Sequence, residues 1–69
     1  MSHHDEFTYE YTRAFNALEY GEASAALPHL ARAAQHLRAT EATDKDRRDL
    51  VALMAECADE LDALAALRG

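Results

Sequence analysis

The chain has 69 residues, with 13 acidic and 7 basic side chains and a formal charge of −6. This length supports one small domain. Its hydrophobic content of 49% includes 16 alanines, so large apolar side chains are few. An acidic chain with scattered cations is a poor ligand for a phosphate backbone, and no apolar run approaches the ~20 residues that span a membrane. We therefore expect neither a nucleic-acid nor a membrane partner.

The single cysteine, Cys57, cannot form an intramolecular disulfide. Residues 1–11 lack the basic and then apolar pattern of a secretory signal. Both features favour the cytoplasm. The high alanine and arginine content without isoleucine is typical of a GC-rich bacterial genome.

The first predicted helix spans residues 5–20, and we expect residues 1–4 to be disordered. Its acidic start at Asp5 and Glu6 suits the positive end of a helix dipole. Gly21 can adopt the left-handed conformation that ends a helix. One apolar stripe follows the helical period: Phe7, Tyr11, Ala14, Phe15 and Leu18.

The second predicted helix spans residues 24–38, with Ser24 as its N-cap. Pro28 complicates this assignment because proline removes a backbone donor and clashes with the preceding turn. We place Pro28 in the first turn or just past it, and the alternative is a kink. One face carries Ala23, Ala26, Leu27, Leu30, Ala34 and Leu37.

The third predicted helix spans residues 45–67 and is the longest. Thr43 and Asp46 have the spacing of a capping box, with Asp in place of the usual Glu or Gln. The central stripe is Leu50, Met54, Cys57, Leu61 and Leu64, and Val51, Leu53, Ala58 and Ala65 widen it.

Three helices joined by short connections predict an all-α fold, an antiparallel up-down-up bundle in a single domain over residues 1–69. The predicted core is Phe7, Tyr11, Phe15, Leu18, Leu27, Leu30, Leu37, Leu50, Met54, Leu61 and Leu64, with alanines between. Alanine buries little apolar area, so we expect a partner to cover part of the third helix. We predict self-association, most simply as a homodimer, through Leu53, Leu64 and Leu67.

Residues 14–33 resemble one tetratricopeptide-type helical hairpin and are similar to the first two helices of the MIT domain. The resemblance rests on small Ala14, Gly21 at the turn, small Ala26, bulky Leu30 and small Ala33. The chain departs from the hairpin pattern at Glu10, Ala17 and Pro28, and it has no second repeat. Its long third helix fits the MIT-like arrangement better. The resemblance implies a groove that binds a peptide or a helix, and no catalysis.

One face of the first helix carries Tyr9, Arg13, Asn16 and Tyr20, opposite the apolar stripe. Aromatic and arginine side chains on an outward face are typical interface anchors. The alternative is two singly exposed tyrosines. We predict a partner-binding surface here.

The N-terminus offers a possible metal site. After removal of Met1, the terminal amine, two backbone nitrogens and the imidazole of His4 would chelate Cu(II) or Ni(II) in a plane. His3 and His4 are therefore candidate metal-site residues, and the alternative is a terminus without function.

Other chemically notable side chains have ordinary explanations. His29 and His36 are seven residues apart at the edge of the second helix's apolar face, which favours boundary histidines over a pH-sensitive interface. Cys57 lies in the middle of the apolar stripe of the third helix and is predicted to be a core side chain. Its acidic neighbours disfavour a nucleophilic thiol, and the alternative is an intermolecular disulfide under oxidation. The acidic side chains of the third helix favour a solvated face, with a docking surface for a basic partner as the alternative: Glu56, Asp59, Glu60 and Asp62.

The sequence shows no nucleophile–base pair, cofactor loop or metal cluster. We therefore predict a small protein–protein interaction or regulatory adaptor protein, with no enzymatic activity and no cofactor. Two alternatives are an acidic inhibitor or antitoxin that blocks a basic partner, and a protein that binds Cu(II) or Ni(II) at its N-terminus.

Overall fold

The computed structural model describes residues 2–39 and 42–68, apart from the side chain of His3. These residues form three helices: α1 (His3–Glu19), α2 (Ala23–Ala39) and α3 (Asp44–Arg68). The described part of the chain contains no strand. The all-α prediction is confirmed, and each helix begins and ends within two residues of its predicted bounds.

α1 begins earlier than predicted. The Asp5 amide donates a hydrogen bond to Ser2 Oγ over 3.2 Å, so Ser2 is the N-cap. His3 and His4, which we expected to be disordered, therefore form the first turn of the helix. A serine cap satisfies one of the amides that a helix start leaves without a partner.

Gly21 makes the turn between α1 and α2, as predicted. Its φ angle is 73°, in the left-handed region that glycine adopts without steric cost. The Gly21 amide donates to the Leu18 carbonyl over 3.1 Å, and the Glu22 amide donates to the Ala17 carbonyl over 2.8 Å. These bonds close the end of α1 and return the chain as an antiparallel hairpin.

α2 continues through Pro28 from Ala23 to Ala39. The predicted N-cap at Ser24 is wrong, because α2 begins at Ala23 and Ser24 lies inside the helix. Pro28 is exposed and lies just past the first turn, which is one of the placements the sequence left open. Its ring nitrogen has no hydrogen to donate to the carbonyl of Ser24.

α3 runs back along the hairpin and extends past its turn. The Asp46 amide donates to Thr43 Oγ1 over 3.1 Å, which is one of the two hydrogen bonds of the predicted capping box. Further along, Cys57 Sγ donates to the Ala23 carbonyl over 3.5 Å, so Cys57 lies level with the start of α2. Residues 62–68 are exposed and project beyond that point, in a molecule 41 Å long.

The core is small and rich in alanine. Its buried hydrophobic members are Phe7, Ala14, Ala23, Ala26, Leu30, Ala33, Leu50, Leu53 and Cys57. Four predicted core residues are instead exposed: Phe15, Leu27, Met54 and Leu64.

The burial of Leu53 removes it from the predicted self-association surface. It is only 3% exposed and belongs to the core. Leu50, Leu53 and Cys57 face the hairpin at i, i+3, i+7, so Met54 turns outward. Leu64 and Leu67, the other two predicted contacts, are exposed on the projecting end of α3. Among the described residues, no helix has an apolar stretch that could cross a membrane.

Candidate functional site

Glu10 is a buried acidic side chain between α1 and α2. One carboxylate oxygen, Oε2, accepts hydrogen bonds from His29 Nδ1 and from Arg32 Nε, each over 2.9 Å. A carboxylate only accepts, so the 2.9 Å contact assigns a proton to His29 Nδ1. Arg32 Nη2, which lies 3.2 Å from the same nitrogen, is then a close contact and not a hydrogen-bond donor to it. Both donors come from α2, and the three side chains therefore tie the two helices of the hairpin together.

The electrostatics of Glu10 follow from these contacts. Burial alone would raise the pKa of Glu10, but the hydrogen bonds from His29 and Arg32, together with their charges, outweigh it. The pKa of Glu10 therefore lies below its ordinary value. The buried carboxylate is held ionised because its two donors replace water.

A second glutamate–histidine pair joins the same two helices. Glu6 Oε2 lies 3.2 Å from His36 Nδ1, one turn before Glu10 on α1. The two histidines predicted at the edge of the apolar face therefore both lie on the α1–α2 seam, each against a carboxylate.

Glu10 was not predicted to be buried. Glu10 lies three residues after Phe7 and four before Ala14, which are both buried, so it occupies an apolar position of the helical period. A charged residue at such a position signals a buried ion pair. His29, at the edge of α2, was the available histidine partner.

The predicted partner-binding residues lie on one outward face of α1, which we call the α1 face (Tyr9, Arg13, Asn16 and Tyr20). Tyr9 is 54% exposed and Tyr20 is 81% exposed. The Arg13 guanidinium lies over the Tyr9 ring, 5.9 Å from its centroid. Arg13, Asn16 and Tyr20 also line an open cleft of 260 Å³ with His29 of the buried network.

A second cleft, the acidic cleft, opens between α1 and α3. It has a volume of 430 Å³, and its residues are Phe15, Leu18, Glu19, Glu56, Asp59 and Glu60. Two of these residues are apolar and four are carboxylates, and no cation is among the lining residues. Three of the acidic residues predicted on α3 meet here, whereas Asp62 lies outside.

A third opening, the apolar groove, lies between α2 and α3. It has a volume of 340 Å³, and its walls are Leu27, Leu30, Ala31, Met54, Cys57, Ala58 and Leu61. Leu27 and Met54 are exposed along it. These are two of the side chains that the sequence assigned to the core.

Cys57 has the chemistry of a core side chain, as predicted. Burial raises the pKa of its thiol, and the nearby Glu60 charge raises the pKa further. A thiol with a raised pKa is a poor nucleophile at neutral pH.

The candidate metal site at the N-terminus lies partly outside the described residues. His4 Nε2 is 4.0 Å from Asp46 Oδ2. Among the described residues, no three side chains of His, Cys, Asp or Glu are placed to hold a metal ion. Chelation through His3 and His4 stays a prediction.

No family model, no curated protein and no solved structure matches this chain. The resemblance to tetratricopeptide and MIT hairpins stays a prediction.

Proposed function

We propose that this protein is a small helical interaction module that binds another protein through the α1 face and associates with itself through α3. The observation that carries the proposal is the exposure of Tyr9 and Tyr20 on α1. The adjacent side of α1 is held against α2 by the hydrogen bonds of Glu10. Large, rigid aromatic side chains on a fixed helix lose little conformational entropy on binding.

Arg13 supports this proposal by its position. Within residues 2–39 and 42–68, no carboxylate lies within ion-pair distance of its guanidinium. It is held over Tyr9 instead. An arginine that rests on a tyrosine can accept a carboxylate from a partner without breaking an existing ion pair.

The proposed function needs no catalysis. All three clefts are open to solvent, and the one thiol is buried with a raised pKa. A carboxylate-based active site needs a concave, water-excluding pocket, which these clefts do not resemble. We therefore propose an adaptor or regulatory role in the cytoplasm, without a cofactor.

Site-specific crosslinking tests the proposal. A photoreactive phenylalanine analogue at position 20 is expected to crosslink a partner in the cells that make the protein, and the same analogue at position 51 is not expected to crosslink that partner. The captured protein, identified by mass spectrometry, is then titrated against purified variants. Tyr20→Ala and Arg13→Ala should each weaken binding roughly tenfold or more.

Gln35→Ala is the control, since Gln35 is exposed on α2, away from the α1 face and the cleft beside it. Its affinity should equal that of the wild-type protein. Equal affinities for all three variants would contradict the proposed surface.

The acidic cleft favours a second candidate function, the blocking of a basic partner. Exposed Phe15 lies among four carboxylates, which suits an amphipathic segment that carries lysine or arginine around an apolar side chain. This function predicts an affinity that falls steeply with added salt and is lost in a Glu56→Gln, Glu60→Gln double variant. A partner whose binding is insensitive to salt would exclude it.

A further inference from the structure

α3 carries an outward stripe with the spacing of a coiled coil. Its members follow at intervals of three, four, three and four residues: Val51, Met54, Ala58, Leu61 and Ala65. This is the a/d pattern of two successive heptads. Only Leu61 is half-buried, whereas the other four are exposed, Val51 to 64%. We call this stripe the α3 seam.

The α3 seam borders the apolar groove, so a helix laid on it would also contact α2. Met54, Ala58 and Leu61 belong to both features, and Leu27 and Ala31 form the opposite wall. A helix is the occupant that the spacing fits, because knobs that repeat every three and four residues fill the holes of another helix.

We propose that the occupant is α3 of a second copy, packed antiparallel about a two-fold axis level with residue 56. In this register, Val51 lies level with Leu61 of the partner copy, and Met54 lies level with its Ala58. Each layer thus combines unlike side chains, and the small Ala58 makes room for the long Met54. The proposal rests on the self-association part of the proposed function and does not involve the α1 face.

Two charged residues that flank the α3 seam favour the antiparallel packing of the two α3 helices. Arg48 and Asp62 lie on its solvent side, both exposed, and neither forms an ion pair within the described residues. In the antiparallel register they come within about 3 Å of each other along the helix axis, at 1.5 Å per residue. The two-fold axis produces this pair twice.

The opposite orientation finds no such match. In a parallel pair, Arg48 would face the side of the partner helix that carries Leu50 and Cys57. Those residues are buried in their own bundle, so no carboxylate would meet the arginine. The charges therefore favour two antiparallel copies over a parallel dimer.

Charge reversal tests the proposal by sedimentation equilibrium on the full chain. The wild-type protein is expected to have a dimer mass at about 100 µM, where an association of micromolar Kd is nearly complete. Arg48→Asp and Asp62→Arg should each raise the dimer Kd roughly tenfold or more, because each places like charges together twice.

Mixing the two variants is the decisive measurement. The Arg48→Asp chain carries two aspartates at these positions and the Asp62→Arg chain carries two arginines, so an antiparallel heterodimer pairs opposite charges at both ends. The mixture should recover the wild-type affinity, as should the chain that carries both changes. Far-UV circular dichroism checks that each variant is folded.

The outcomes separate this interface from self-association in general. A wild-type monomer at 100 µM would overturn both. A wild-type dimer that is unaffected by either reversal, or a mixture that fails to recover, would overturn the antiparallel α3 interface alone. If a charge variant does not fold, Val51→Ser replaces it, because this exposed side chain contributes to the seam without a charge, and it should also weaken the dimer.

Discussion

The Glu10 carboxylate lies 2.9 Å from Nδ1 of His29 across the α1–α2 seam. Glu10 occupies a position of α1 where the helical period predicts an apolar side chain. Burying a charge costs free energy unless its partners replace water, and here Arg32 supplies the second donor. A shift of α1 along α2 would separate Glu10 from both donors, so the network favours the observed alignment of the two helices. An alanine-rich contact alone would specify this alignment weakly.

Glu10→Gln is expected to destabilise the hairpin. The amide keeps the shape of the side chain but loses the charge that strengthens both hydrogen bonds, so the free energy of unfolding should fall by about 1–2 kcal/mol at pH 7. Urea denaturation followed by circular dichroism measures this change. Glu19→Gln is the control, because Glu19 is exposed and should change stability by no more than about 0.5 kcal/mol.

The same variant should flatten the acid dependence of stability. The pKa of Glu10 in the folded protein lies below its ordinary value of 4.5. Its contribution is therefore complete above that pH and is lost as the pH falls through the folded-state pKa, because the unfolded chain binds the proton first. The wild-type protein should lose more stability than Glu10→Gln between about pH 5 and 3. Parallel acid titrations of the two proteins would contradict the ion-pair interpretation.

The presence of the three helices was predictable because the residues that begin and end a helix act locally. Ser2, Gly21 and Thr43 act on backbone groups within a few residues, and each appears in the sequence at the appropriate end of a helix. α1 begins two residues before its predicted start because Ser2 was not recognised as the N-cap.

The rotation of the helices was not predictable from the period. Leu53 and Met54 follow Leu50 by three and four residues, and both spacings lie on the same side of a helix. Contacts with the hairpin decide between them, and they bury Leu53 and expose Met54. The same uncertainty explains why Phe15 was assigned to the core and Glu10 was not.

Leu53→Ala should test the corrected core. Removing a buried leucine side chain leaves a cavity and is expected to cost about 2–4 kcal/mol, a large fraction of the stability of so small a domain. Thermal denaturation should show a much lower Tm or a loss of helical signal at 25 °C. Thr12→Ala is the control, since Thr12 is exposed on α1, away from the proposed self-association surface of α3, and its Tm should not fall below the wild-type value. Similar melting of both variants would show that Leu53 does not belong to the core.

Gly21→Ala should destabilise the turn through backbone conformation alone. A Cβ at this position would lie 4.0 Å from the nearest atom, Glu60 Oε1, so no clash is expected. The φ angle of 73° costs an alanine about 1–2 kcal/mol. Gly21→Asn is the matched variant, because asparagine tolerates this conformation, and it should lose clearly less stability than Gly21→Ala in urea denaturation. Equal losses would point to a steric cause.

Pro28→Ala should stabilise the protein. Alanine restores the amide that can donate to the carbonyl of Ser24, and the exposed ring of Pro28 gives up little packing. Proline inside a helix costs about 3 kcal/mol relative to alanine, of which about 1 kcal/mol is offset by its stiffening of the unfolded chain. A net gain of about 1–2 kcal/mol is expected in the free energy of unfolding. Pro28→Gly separates the two effects, since it restores the same amide with a more flexible backbone and should gain roughly 1 kcal/mol less. A loss of stability in Pro28→Ala would show that the ring itself supports α2.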